Sequence, residues 1–212
     1  MDEELKRTGT TTVGISCKDG VVLATERRAT MGTLIAHKST QKLFEIDRHL
    51  GMTTAGLVGD AQILVRYMVA EANLYRLRFG KPISLKASST MLSNILASNK
   101  YIPYWVQLVL GGVDSEGSHV YSLDPAGGSI ADEYVTTGSG SPYVYGVLED
   151  HYQGEMSTKD GVDLAIRGIH AAMKRDSASG EGIDVAVIDG DGFRLLSEKE
   201  VQDRIKKMKL KA

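Results

Sequence analysis

The sequence predicts an α+β protein in which two β-sheets face each other and a pair of helices covers the outer side of each sheet. Strand-like and helix-like segments come in separate runs: strands, two helices, strands, two helices, strands and a final helix. The long helical segments have an apolar stripe on one side, and a four-layer arrangement would bury these stripes. The 212 residues show no linker or internal repeat, so we expect one large domain.

The chain begins with a charged leader and a predicted β-hairpin. Residues 11–17 (TTVGISC) and 21–25 (VVLAT) are rich in apolar and β-branched residues, and Lys18-Asp19-Gly20 between them is a turn sequence. Further short strands are predicted at 33–36, 42–46 and 52–58.

A first helix pair follows. Asp60 is predicted to cap a helix that continues to about Phe79, and a short Gly/Pro loop leads to an antiparallel helix over 85–98. The stripe of the first helix is predicted to contain Ile63, Leu64, Tyr67, Met68, Leu74 and Tyr75. The later elements are strands at 105–113, 119–123 and 130–136, helices at 142–152 and 159–174, and a hairpin of 183–188 and 193–196. Ser197 and Glu200 form a capping box that opens a terminal helix.

Composition and charge exclude several classes of function. Hydrophobic residues are 42% and charged residues 25% of the chain, as in ordinary globular proteins, and the formal net charge of -2 gives no general attraction for nucleic acid. No apolar run approaches the roughly 20 residues that cross a membrane, and the charged leader is not a secretory signal. A single cysteine, Cys17, fits a reducing compartment, so we expect a cytoplasmic protein. The histidines form no metal-spaced pair, so no metal or other cofactor is expected.

The stretch Thr8-Gly9-Thr10-Thr11-Thr12 carries the most distinctive chemistry. A cut after Gly9 would make Thr10 a new N-terminus with a hydroxyl and a free α-amine, which is a nucleophile with its own base. An α-amine titrates at roughly 7.7 to 8.0, so it can accept the hydroxyl proton directly or through a water near neutral pH. Taken alone, these residues also fit an ordinary Gly/Thr turn that leads into a strand.

Three other positions have chemistry that would support such a nucleophile. Glu26 places a carboxylate at the end of the second strand, and Lys42 places an ammonium on a short strand. Partial burial would lower the pKa of Lys42, or, if Lys42 stays charged, it would lower the pKa of a neighbouring group. Gly56 would let a backbone N–H approach a substrate oxyanion closely, because it has no side chain. Individually, these residues also fit a structural ion pair and a β-bulge.

Five motifs in order along the chain give these residues a context. They are 9–14 (GTTTVG), 24–28 (ATERR), 55–61 (AGLVGDA), 137–141 (TGSGS) and 175–180 (RDSASG). With them, essentially the whole chain resembles the β subunits of the 20S proteasome, archaeal type, which are N-terminal-nucleophile hydrolases. The resemblance implies an αββα sandwich, a propeptide at 1–9 that is removed autocatalytically, and a catalytic domain at 10–212. The implied activity is that of a threonine endopeptidase that degrades unfolded polypeptides inside a closed chamber.

The resemblance also assigns roles to individual residues. It makes Thr10 the nucleophile, Glu26 and Lys42 its closest partners, and the N–H of Gly56 the oxyanion donor. The residues that match the positions around the nucleophile's amino group are Ser139, Asp176 and Ser179. No cofactor is implied.

The same match predicts a substrate pocket of small or apolar residues and hence cleavage after hydrophobic residues. Thr30 would lend backbone hydrogen bonds to an extended substrate. The pocket positions are Ala29, Met31, Thr40, Phe44, Thr54 and Val58.

The implied partners are other copies of the β subunit in a seven-membered ring, a ring of α subunits, and indirectly an ATP-dependent unfoldase; no partner is expected among nucleic acids or membranes. Two alternatives remain open at the level of sequence. One is an inert structural ring subunit that keeps its leader, and the other is a related amidase that acts on a small molecule.

Overall fold

The computed structural model describes residues 9–210 and shows four layers. Two five-stranded antiparallel sheets face each other, with helices on the outer side of each, which confirms the predicted α+β sandwich. Residues 1–8, which hold all of the expected propeptide except Gly9, lie outside the described residues.

The elements have the following bounds. The strands are β1 Thr11–Cys17, β2 Gly20–Glu26, β3 Ala29–Met31, β4 Leu34–His37, β5 Leu43–Asp47, β6 Leu50–Gly56, β7 Val106–Asp114, β8 Gly117–Leu123, β9 Ser129–Asp132, β10 Tyr134–Gly138, β11 Ile183–Asp189 and β12 Gly192–Leu195. The helices are α1 Val58–Phe79, α2 Leu85–Ser98, α3 Ser141–His151, α4 Thr158–Met173 and α5 Glu198–Lys207.

The first sheet has the strand order β10-β1-β2-β11-β12, the second has the order β5-β6-β7-β8-β9, and β3 and β4 form a separate ribbon. Three apolar clusters fill the layers: one between α3, α4, α5 and the first sheet, one between α1, α2 and the second sheet, and one between the sheets. The cluster between the sheets includes Val21, Leu23, Val109 and Ile188, all fully buried. Burying each such side chain contributes roughly 1.5–3 kcal/mol, so the facing sheets form a rigid frame.

The segment predicted as one strand at 130–136 divides at Glu133. β9 belongs to the second sheet and pairs with β8, whereas β10 belongs to the first sheet and pairs with β1. The single strand predicted at 33–36 was also incomplete, because β3 and β4 pair with each other there. At 130–136 the alternating sequence pattern continues while the chain changes its pairing partner.

The start and the stripe of α1 differ from expectation. Asp60 is not the N-cap: the cap is Leu57, and Asp60 Oδ2 instead accepts a hydrogen bond of 2.8 Å from the Trp105 N–H. Tyr67 and Leu74, expected on the buried stripe, are about half exposed. The buried face consists of Ala61, Leu64, Met68 and Ala72.

The capping box at the start of α5 is confirmed, with hydrogen bonds in both directions between Ser197 and Glu200. Among the described residues, no helix is long and apolar enough to cross a membrane. Within residues 9–210 there is also no group of three or more His, Cys, Asp or Glu side chains arranged to hold a metal ion.

Candidate active site

The chemically distinctive residues meet at one end of the sandwich because of how the strands pair. In the β1–β2 hairpin, Thr12 lies opposite Thr25, so the start of β1 lies beside the end of β2. The end of β10 reaches the same place, with Gly138 opposite Thr11, and so does the start of β11, with Ile183 opposite Glu26. Antiparallel pairing therefore gathers four chain segments around Thr10.

Thr10 lies at this junction with only 4% of its surface exposed. Its hydroxyl donates a hydrogen bond of 2.7 Å to the carbonyl oxygen of Gly9, the residue before it. Its N–H donates to the Ser139 hydroxyl over 3.2 Å, and the Gly9 N–H donates to Thr30 Oγ1 over 3.2 Å. The bond that a self-cleavage reaction would break is thus held on both sides.

Glu26 and Lys42 form a buried ion pair beside Thr10. Lys42 Nζ donates to Glu26 Oε1 and to the Arg28 carbonyl oxygen. Glu26 also accepts backbone hydrogen bonds from Thr11 at 3.3 Å, Arg28 at 2.7 Å and Gly180 at 3.0 Å. The carboxylate is therefore surrounded by donors, which compensates for its complete burial.

The electrostatics of this pair are dominated by burial. Burial lowers the pKa of the Lys42 ammonium, and the nearby Glu26 carboxylate opposes that change. Burial likewise raises the pKa of Glu26, against the effect of Lys42. A lysine with a lowered pKa exchanges a proton more readily near neutral pH, which is the property required of a catalytic base.

Ser139, Asp176 and Ser179 form a second polar group on the other side of Thr10. Asp176 Oδ2 accepts from the Ser139 hydroxyl at 2.7 Å and from the Ser179 hydroxyl at 2.6 Å. The loop from 174 to 182, which joins α4 to β11, supplies two of these residues, and the Ser179 N–H donates to the Asp176 carbonyl over 3.1 Å within it. This group contacts the nitrogen of Thr10 through Ser139.

Two glycines allow the backbones to come this close. Gly56 has a φ of +117°, and a Cβ there would lie 2.1 Å from the Trp105 carbonyl oxygen. Gly138 has a φ of +92°, and a Cβ there would lie 2.0 Å from the Thr10 carbonyl oxygen. A side chain at Gly138 would therefore displace the backbone of Thr10, and one at Gly56 would displace the backbone of Trp105.

A pocket opens beside Thr10. Its lining includes all the predicted pocket positions except Met31, which lies at the end of β3 with 52% of its surface exposed. The lining consists of Gly9, Thr10, Ala29, Thr30, Thr40, Gln41, Lys42, Phe44, Thr54, Gly56, Val58, Ala61 and Gln62.

Sequence reasoning did not single out several residues at this site, and three of them show why. Gln62 lines the pocket four residues after Val58, and both lie on α1. The helix begins at Val58, which was predicted to end a strand, so this helical spacing was not recognised. Thr11 contacts Glu26 and Ser179, but its side chain resembles those of its neighbours in the threonine run. The Arg28 carbonyl, which binds Lys42, has no signal in the sequence because every residue has a carbonyl.

Comparisons with known proteins agree with this architecture. A family model described as "Proteasome subunit" matches residues 6–188. The chain is 55% identical over 209 residues to the proteasome subunit beta of Methanothermobacter thermautotrophicus, which is 98% of this chain and 100% of the relative. It is 57% identical over 211 residues to that of Thermoplasma acidophilum, 99% of each chain. With that of Methanosarcina mazei the identity is 54% over 205 residues, 96% of this chain and 98% of the relative.

Proposed function

This chain belongs to the proteasome subunit family, as an archaeal-type β subunit and a threonine peptidase of the proteasome core, and from that premise we propose that it removes its own residues 1–9 and then cleaves unfolded polypeptides with Thr10. Residues 10–212 would be the catalytic domain. The observation that carries the proposal is the hydrogen bond of 2.7 Å from the Thr10 hydroxyl to the Gly9 carbonyl oxygen. It supports the proposal because the hydroxyl is held next to the Gly9–Thr10 peptide bond.

Self-cleavage would proceed as an acyl shift. The Thr10 hydroxyl loses its proton to a base and attacks the Gly9 carbonyl carbon, and the resulting oxyanion accepts a hydrogen bond from the Gly56 N–H. The C–N bond then breaks, the proton passes to the Thr10 nitrogen, and Gly9 becomes esterified to the Thr10 oxygen. Water hydrolyses this ester, which releases residues 1–9 and leaves a free α-amine.

Lys42 is the group best suited to act as the base in that first reaction. No α-amine is free at Thr10 while the chain is continuous, and Lys42 lines the same pocket as Thr10. Burial lowers the pKa of Lys42, which favours the neutral amine that can take a proton. After self-cleavage, the α-amine of Thr10 would share this task during attack on peptide substrates, with Ser139, Asp176 and Ser179 orienting it.

The pocket supports cleavage after hydrophobic residues. Lys42, held by Glu26, is the one charged side chain among the lining residues. The remaining lining is small, apolar or uncharged, so a charged substrate side chain would lose hydration without gaining a partner. We therefore expect peptides cut after Leu, Phe or Tyr to be hydrolysed faster than peptides cut after Arg or Glu.

Membership of the family implies assembly with other proteasome subunits. The specific arrangement belongs to the proposal: β subunits in a ring of seven, stacked on α rings, with an ATP-dependent unfoldase that supplies unfolded chains. A cytoplasmic location is also part of it, since the single cysteine fits a reducing compartment.

Intact-mass measurement with N-terminal sequencing tests the proposal, on the protein expressed alone and with its α partner. The assembled wild-type protein should begin at Thr10, and Thr10→Ala should keep residues 1–9 and lose peptidase activity. Thr10→Ser, which retains a hydroxyl, is the matched control and should still process itself. An active Thr10→Ala protein would disprove the mechanism, and an uncut leader in assembled wild-type particles would favour an inert structural subunit.

A further inference from the structure

Thr11, the residue after the proposed nucleophile, contacts both polar groups that flank Thr10. Its backbone N–H donates to Glu26 Oε1 over 3.3 Å, on the side of the buried ion pair. Its hydroxyl lies 2.6 Å from the Ser179 hydroxyl, on the side of the Ser139, Asp176 and Ser179 group. Since Thr11 is fully buried, no solvent competes for these contacts.

The directions of the hydrogen bonds follow from the protons available. Asp176 Oδ2 accepts from both Ser179 and Ser139, and each hydroxyl has one proton to donate. Ser179 must therefore accept its remaining bond from the Thr11 hydroxyl. Ser139 accepts from the Thr10 N–H in the same way. The result is two series of donors that converge on Asp176: one runs from the Thr11 hydroxyl through Ser179, and the other runs from the Thr10 N–H through Ser139.

The surrounding backbone is shaped to hold Thr11 in this orientation. Gly140 leaves the space that the hydroxyl occupies, since a Cβ at 140 would lie 2.0 Å from Thr11 Oγ1. The Thr11 carbonyl accepts a hydrogen bond of 3.1 Å from the Thr25 hydroxyl. The N–H and the carbonyl of Thr11 are thus both held by β2, and its side chain is held by the loop between α4 and β11.

We propose that Thr11 is a positioning residue for the threonine peptidase reaction, whose hydroxyl and N–H fix Ser179 and Asp176 relative to Glu26 and so align Thr10. This inference rests on the proposed function. Thr11 does not line the pocket, so it acts on the reaction through its neighbours and not through substrate binding. Its loss should therefore change kcat and leave KM nearly unaltered.

The chain offers a matched control in the next residue. Thr12 is also fully buried, and its hydroxyl also bonds to another hydroxyl, that of Thr137 at 2.7 Å. Thr12→Val and Thr11→Val therefore make the same chemical change at the same burial. Thr11→Ser retains the hydroxyl and removes one methyl group. Each variant is co-expressed with the α partner as the full chain, and self-cleavage, peptide hydrolysis and thermal unfolding are measured.

Thr11→Val should lower kcat and the rate of self-cleavage about 10-fold or more, because small misplacements of reacting groups are costly, with KM within about twofold of wild type. Thr11→Ser should recover most of the activity, and Thr12→Val should keep kcat within about twofold of wild type. The two valine variants should have similar unfolding temperatures. Equal kcat in the two valine variants would overturn the inference, and so would a Thr11→Ser protein as slow as Thr11→Val.

Thr10→Ala, measured in the same assay, distinguishes a failure of the proposed function from a failure of the positioning role of Thr11. If Thr10→Ala is active, the proposed function is wrong. If Thr10→Ala is inactive while Thr11→Val matches Thr12→Val, only the positioning role is wrong. Failure of Thr11→Val to assemble, with Thr12→Val assembling normally, would mean that the hydroxyl is needed for folding and would also overturn the inference.

Discussion

The two polar groups beside Thr10 differ in how far water can reach them. Glu26 and Lys42 are buried, so their charges depend on each other and on nearby backbone groups. On the opposite side, Ser179 is also buried, but Ser139 is exposed and Asp176 is partly exposed. We infer that Glu26 and Lys42 contribute strongly to the stability of the fold as well as to activity, whereas Ser139 and Asp176 contribute mainly to activity.

The largest expected effect comes from breaking the buried pair. Lys42→Met should lower the free energy of unfolding of the unassembled subunit by about 3–5 kcal/mol, because Glu26 would remain buried without its partner. It should also abolish self-cleavage. The double variant Lys42→Met/Glu26→Gln should regain much of the stability without regaining activity. Urea unfolding and intact mass measure both quantities, and fully additive stability losses would contradict the pairing.

A substitution on the more exposed side, at Asp176, should lower activity strongly and change stability little. Asp176→Asn keeps the size of the side chain but removes the charge that accepts from two serine hydroxyls. We expect kcat to fall by about 100-fold and the free energy of unfolding to change by less than about 1 kcal/mol, since the site is partly solvated. Steady-state kinetics and urea unfolding of the same preparation check this. A stability loss as large as that of Lys42→Met would show that the two sides do not differ in their contribution to stability.

The pH dependence should distinguish the bases of the two reactions. A base must be neutral to take a proton, so the rate of self-cleavage should rise with pH through the pKa of Lys42, which burial lowers. Peptide hydrolysis should show a further dependence near the ordinary range of an α-amine, roughly 7.7 to 8.0. Rates measured on the precursor and on the mature form over the same pH series test this. Identical profiles for the two reactions would contradict separate bases.

The smallest effect concerns the buried thiol of Cys17, whose pKa is raised first by burial and then by the nearby Asp19 and Asp160 carboxylates. Burial raises the pKa of Cys17 to about 12, so near pH 8 only about one thiol in ten thousand is ionised. A thiol reagent should therefore label Cys17 very slowly in the native protein and rapidly in urea. Rapid labelling of the native protein would show that this part of the first sheet opens readily, and that burial alone acts less strongly than assumed for Lys42.

The sequence was sufficient for the layer order because each stripe and strand has a local signature. It was insufficient where a distant contact decides the outcome. Asp60 had the pattern of a helix cap, but its carboxylate instead accepts a hydrogen bond from the N–H of Trp105, 45 residues away in sequence. The alternation at 130–136 continues across Glu133, where the chain leaves one sheet for the other. Tyr67 and Leu74 fit an apolar stripe by spacing, yet the core is already filled by their neighbours.

The residues of the candidate site also differ in how far the sequence alone could identify them. Thr10, Glu26 and Lys42 have chemistry that suits a nucleophile with a base and a charge partner, but taken alone they also fit a turn and a structural ion pair, so their predicted roles depended on the five motifs together. Ser139, Asp176 and Ser179 have no such local signature and came only from resemblance to a family. They meet because loops from separate elements converge, which no periodicity encodes.

The position of Thr10 depends on how β1 pairs with both of its neighbouring strands. Thr11 must lie opposite Gly138 at the same time as Thr12 lies opposite Thr25. A shift of one residue in this register would exchange the two faces of the strand and turn the Thr10 hydroxyl away from the site. Gly9 or Thr11 would then occupy the position of Thr10. Under the proposed mechanism, a chain with this slip would keep residues 1–9 and would not free the Thr10 α-amine, so peptidase activity would arise only in subunits whose β1 strand is correctly paired.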